Sequence, residues 1–197
     1  MPREDIEFRP VDHITTDAIG QPGKRVFYIH AWQDQRTVTM ILEKLQILSL
    51  AEGVEQFLSE VREKYPDLDE PSADYTEEKM RIQPPVDPLF RIGELGLGYD
   101  ANADLVVLVA REMTAEETVG DTEGGTEGDA VGGAEGEGDQ EAESASVVRL
   151  WCTRSQIRAL ARWGVEVASL GRPICPQCGE PMEPEGHFCP KKNGHKH

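Results

Sequence analysis

The chain has 197 residues, a length that suits one domain of ordinary size, and carries 37 acidic against 20 basic side chains for a net charge of -17. No apolar run is long enough to cross a bilayer and the first residues lack a signal-peptide pattern, so a cytoplasmic location is expected. The charge is unevenly spread: residues 115–146 hold eleven acidic side chains and no basic one, which leaves only -6 for the remainder.

Glu4 to Arg9 alternates, with Ile6 and Phe8 on one side, and reads as a short strand. His13 to Ala18 is a second. The turn Gly20-Gln-Pro22-Gly23 precedes Arg25 to Trp32, rich in aromatic and β-branched residues, and Gln33-Asp34-Gln35 reverses the chain into Thr37 to Ile41. These two strands form an antiparallel hairpin. A helix follows, with Leu45, Leu48, Ala51, Val54, Leu58 and Val61 on one stripe widened by Ile47, Leu50 and Phe57. Gly53 weakens its middle and Pro66 ends it. Residues 66–88 hold five prolines and read as an irregular crossing.

The sheet resumes at Phe90 to Tyr99, where Gly93, Gly96 and Gly98 indicate a bulge or a close backbone approach rather than a phosphate loop. After the turn Asp100 to Asp104, Leu105 to Ala110 is a core strand. Residues 115–146 are Gly, Glu, Asp, Ala and Thr with little to bury. They read as a disordered, solvated loop between two strands, tolerable because loop-closure entropy grows slowly with length. Ser146 to Cys152 re-enters the sheet. Thr153-Arg-Ser-Gln156 is a capping box opening a helix that buries Ile157, Leu160, Ala161, Gly164, Val167 and Ala168 and stops near Gly171 and Pro173. The expected fold is α+β: a mostly antiparallel sheet with two helices packed on one face, plus a small C-terminal zinc knuckle. Residues 1–173 form the α+β domain, interrupted at 115–146, and residues 174–197 the knuckle and a basic tail.

The tail concentrates the chemistry. Cys175, Cys178 and Cys189 lie within fifteen residues, the Cys-x-x-Cys spacing lets two thiolates reach one ion, and Gly179 relieves the turn beneath them. A structural Zn2+ held by these three and one histidine is the expectation. His187 is the nearer candidate for the fourth ligand, His195 the alternative; water, His197 and Cys152 stay open. A redox pair would call for a following helix to lower a thiolate pKa, and none is predicted. Cys152 itself reads as a small buried hydrophobe.

Candidate polar residues elsewhere (His13, His30, Asp34, Glu43, Asp100 and Asp104) have no diagnostic catalytic spacing. Lys191, Lys192 and Lys196 make the terminus basic, yet the chain has no basic stripe, so nucleic acid is a weak expectation. Trp163 would mark either burial against the sheet or a partner surface. A non-catalytic accessory or interaction protein requires the fewest assumptions; an enzyme of unknown reaction is the alternative.

The Phe8 region, Gly20-x-Pro-Gly23, Phe90-Arg-Ile-Gly-Glu-Leu-x-Leu-Gly-Tyr-Asp100, the tail Cys175-Pro-x-Cys-Gly-x-Pro-x-x-Pro-x-Gly-His-x-Cys-Pro190 and Asn193-Gly194 together resemble an uncharacterised actinobacterial family, filed as a domain of unknown function. The resemblance implies no activity. It implies a protein partner through genes found beside the family's own, which encode a histidine-phosphatase-like protein and a kinase-like protein. It favours His187 as the fourth ligand, because the position of His195 often holds another residue in the family. The acidic insertion is a departure from the family pattern.

Overall fold

In a computed structural model of the chain, the described residues are 5–114, 145–171, 175–179, 181–182 and 189–192. Strands β1 (Asp5–Phe8), β2 (His13–Ile19), β3 (Val26–Gln33) and β4 (Arg36–Leu42) precede helix α1 (Lys44–Lys64) and a one-turn helix α2 (Glu77–Met80). Strands β5 (Ile92–Asp100), β6 (Leu105–Glu112) and β7 (Val147–Cys152) lead into helix α3 (Arg154–Ser169). A 3-10 turn, Pro190–Lys192, follows the last cysteine.

The expected single, mostly antiparallel sheet carrying two helices on one face is not what forms. There are two sheets, β1-β7-β6-β5 and β2-β3-β4, and three α-helices among the described residues. The first sheet is mixed, because β1 runs parallel to β7 with Asp5 opposite Val147 and Phe8 opposite Leu150. Side-chain alternation identifies a strand but is the same whichever way its neighbour runs. The third helix sits in the proline-rich crossing, where the prolines hide a single proline-free turn between Thr76 and Arg81.

The two sheets are stitched at both flanks. Between β1 and β2, the Val11 amide donates to the Trp151 carbonyl and the Asp12 amide to that of Trp32, each at 2.8 Å. On the other side the Leu89 amide donates to Thr39 at 2.8 Å and the Ile41 amide to Phe90 at 2.9 Å. One core results, with Phe8, Ile14, Ile29, Met40, Leu108 and Leu150 from the sheets meeting Ile47, Val54, Ile157 and Leu160 from the helices.

Leu45, expected on the buried stripe of α1, is 75% exposed. The buried stripe is Ile47, Ala51, Val54, Leu58 and Val61, and Leu45 falls off it in the first turn. Helix α3 buries every residue expected of it, and its capping box forms: the Gln156 amide donates to Thr153 Oγ1 at 3.1 Å, and the Thr153 amide to Gln156 Oε1 at 2.8 Å. The expected bulge in β5 lies between Ile92 and Glu94. Residues 115–144 of the acidic stretch lie outside the described residues. Ala145 and Ser146, at its end, are buried, and the Glu112 amide donates to the Ser146 carbonyl at 2.9 Å to extend the β6–β7 ladder. No helix among the described residues is long and apolar enough to cross a membrane.

Two glycines in helices have opposite surroundings. A Cβ on Gly164 of α3 would sit 2.8 Å from Ile47 Cγ2 of α1 and 3.3 Å from Thr16 Cγ2 of β2, whereas a Cβ on Gly53 of α1 meets nothing within 4 Å. Gly164→Ala should therefore destabilise by about 1–3 kcal/mol through overpacking, and Gly53→Ala should stabilise by about 0.5–1 kcal/mol through helix propensity. Urea unfolding of the two variants checks both signs.

Candidate metal centre

Two short segments of the tail bring the cysteines together. Residues 176–178 turn so that the Gly179 amide donates to the Cys175 carbonyl at 2.9 Å, and Gly179 sits at φ +81°, a conformation glycine adopts at little cost. Cys189 returns from the far side of the loop and is fully buried; Cys175 is buried and Cys178 half-buried. The three sulfurs lie within 4.8 Å of one another, a group that can hold a metal ion. Cys175 Sγ and Cys189 Sγ are 3.8 Å apart, and none of the four cysteines is in a disulfide. A tetrahedral ion with Zn–S bonds of about 2.3 Å sets its sulfurs about 3.8 Å apart, so this pair already has the spacing of two ligands.

The electrostatics favour thiolate. Backbone amides of Cys178 and then Gln177 hydrogen-bond to Cys175 and lower its thiol to about 6, assisted by the neighbouring sulfurs. The turn thus performs the service that sequence reasoning sought from a helix. Nothing in residue spacing reveals where turn amides point. Cys152 is the opposite case: burial pushes its thiol up to about 12, and its sulfur lies 3.6 Å from the carbonyls of Val106 and Leu150, far from the tail cysteines in environment and role. His187, His195 and His197 lie outside the described residues.

The other candidate polar residues do not converge. The Asp34 amide caps the β3–β4 turn by donating to Asp12 Oδ2 at 2.6 Å, with Asp34 itself at φ +54°. Glu43 pairs with Arg91, and Asp100 with Arg9. Asp104 accepts from Tyr99 Oη at 2.7 Å and from Arg154 Nε at 2.8 Å. The Arg154 bond holds the Asp104 carboxyl below the usual range, while burial, then the bond to Asp104, pushes Tyr99 up to about 12. These are the ties of turns and helix ends. Depressions of about 600 Å³ beside Leu50, Phe57 and Leu95, and of about 680 Å³ between α1 and α3, contain none of the candidates.

His13 and His30 do share a face with Trp32. The ring of His13 stacks 4.4 Å from that of Trp32 and the ring of His30 lies 5.7 Å from it. His30 Nδ1 is 2.7 Å from Thr39 Oγ1, whereas His13 Nε2 is buried with no hydrogen-bond partner among the described residues. Burial lowers both imidazoles below their ordinary 6.5, opposed at His13 by a hydrogen bond to the Lys79 backbone and reinforced at His30 by the charge of His13.

A mixed α+β protein with a three-cysteine cluster able to hold a metal is the class these observations define. The chain belongs to the family described as "Protein of unknown function (DUF3090)", whose match spans residues 6–189 and so takes in both sheets, the helices and all three tail cysteines. No curated protein and no solved structure matches the chain.

Thiol labelling of the metal-free protein at neutral pH should modify Cys175 readily and spare Cys152 until the chain unfolds; mass mapping of the labelled peptides checks this. The two histidines give a pH dependence. Their lowered folded pKa values mean that the unfolded chain takes up more protons below 6.5, so stability present above that value falls as the pH drops from about 7 to about 5. Replacing both by glutamine should flatten part of that fall in unfolding midpoints measured across this range.

Proposed function

We propose that this is a non-catalytic accessory protein that binds another protein, and that a structural zinc ion staples its C-terminal tail. Cys175, Cys178 and Cys189 are three ligands in this reading and His187 the fourth, with His195 the alternative. The single observation that carries it is the gathering of the three sulfurs, two of them buried, from opposite ends of one loop. Thiolates placed that way form a closed site with one more ligand, and a closed site contributes folding free energy rather than an open position for a substrate. Zinc fits the donor set because thiolate is its preferred structural ligand.

Residues 1–173 are the body of the protein in this proposal, the acidic segment at 115–146 a solvated spacer and residues 174–197 the knuckle and tail, in a cytoplasmic protein. The partner's class follows from the family's gene neighbours, a histidine-phosphatase-like or a kinase-like protein.

Affinity co-purification from the native host, with the intact chain and with one truncated after Pro173, tests the reading when metal content is recorded on both. The intact chain should carry about one zinc per chain and a partner that the truncated chain loses. A partner retained by both chains would move the docking surface to the sheets and helices and leave the knuckle a staple. No zinc on the intact chain would remove the metal reading, and no partner on either chain would remove the accessory one.

A further inference from the structure

We infer that the recess between the β2–β3 turn, the start of α1 and the end of α3 binds a phosphate group of a soluble ligand. This site is separate from the cysteine cluster and stands without it. The recess encloses about 330 Å³ and is bordered by Gly23, Arg25, Lys44, Ser169 and Gly171, with Pro181 of the tail at its rim. That volume is at the small end of ligand cavities, about 300–1,000 Å³.

Two cations face one point in it. Arg25 Nη2 and Lys44 Nζ lie 3.7 and 3.9 Å from the position a Cβ on Gly171 would take. The absence of a side chain on Gly171 keeps that space open. Arg9, Arg81, Arg91, Arg154 and Arg158 each hold a carboxylate, but among the described residues no carboxylate lies within 4.0 Å of Arg25 or Lys44.

Their placement is constrained rather than incidental. The Arg25 guanidinium lies 5.4 Å from the centre of the Phe27 ring, and its Nη1 donates to the Val167 carbonyl at 3.3 Å near the end of α3. Those contacts hold the guanidinium plane and leave Nη2 turned to the recess, where its N–H groups can donate to an anion. Lys44 is the first residue of α1, where the helix dipole is positive, and the first turn carries no acidic residue. Glu43, the N-cap residue, forms a capping box with Gln46 and pairs with Arg91, so the helix end is already served and the anion's partners are the two cationic side chains. Two positive charges match a dianion better than a single carboxylate, and a phosphate monoester carries about -1.5 to -2 at neutral pH.

Isothermal titration calorimetry of the full chain in chloride buffer tests this with inorganic phosphate and pyrophosphate, and with acetate as the singly charged control. Saturable binding of phosphate and pyrophosphate is expected, with acetate much weaker. Lys44→Gln and Arg25→Gln should each weaken phosphate binding by about tenfold or more. Lys44 is exposed, so Lys44→Gln should leave the unliganded unfolding midpoint unchanged or slightly raised, which separates lost binding from lost folding. No saturable binding by the natural chain, unchanged affinity in Lys44→Gln, or acetate binding as tight as that of phosphate would each overturn the inference.

Discussion

An edge strand leaves backbone groups that something else must satisfy, and β2 is the edge of the three-stranded sheet. Much of the structure is arranged around meeting that requirement. Trp163 of α3 donates its indole N–H to the Thr16 carbonyl at 2.7 Å, and Gly164 beside it lets the helix come close enough for that bond to form. From the same strand Thr15 Oγ1 donates to the Met80 carbonyl at 2.6 Å, while the Asp17 carboxylate accepts from the Ile82 amide at 3.0 Å and from Arg81 at 3.1 Å. Buried polar groups are costly unless paired, so these side chains specify where α2 and the residues after it must lie. Arg81 and Tyr75 then cover Trp163, at 4.7 and 5.5 Å from its ring.

The cysteine cluster stands in contrast to that body. The sheets and helices share one apolar core, whereas the sequence from Cys175 to Cys189 offers only Met182 and Phe188 as large apolar side chains. In the proposed reading an ion makes good that lack, as it does in other small folds with too few residues to bury. The net charge is partitioned too: eleven acidic side chains fall in the sequence segment 115–146, and in the described body charged side chains tie elements together, as Arg154 does with Asp104 and Arg158 with Glu55.

Periodicity and turn chemistry made most elements legible in the sequence. The six-residue face of α3 and its Thr153–Gln156 cap depend on local rules, and both are present as read. The bulge at Gly93 was legible for the same reason. What local rules do not encode is strand direction and partner choice, which is why β1 beside β7 and the division into two sheets were missed. Spacing alone puts Leu45 in the core, but the stripe that packs begins at Ile47 and Leu45 lies outside it. The three cysteines were found from spacing, but the amides that make Cys175 acidic were not, because backbone orientation leaves no mark on composition. Arg25 and Lys44 were passed over entirely: they are nineteen positions apart, and only the fold sets them beside each other.

The parallel pairing of β1 with β7 has a consequence for how the chain is made. Asp5 and Val147 are opposite one another across a sheet, yet 142 positions separate them along the chain. Until β7 leaves the ribosome, β1 has no neighbour, and the carbonyl of Trp151 that accepts from Val11 does not exist. The β2–β4 meander and α1 are local enough to assemble earlier; closure of the mixed sheet has to wait, and α3 follows directly on β7 to seal it. Closure of the mixed sheet is thereby tied to the synthesis of β7, with contacts of high sequence separation forming last and setting the pace.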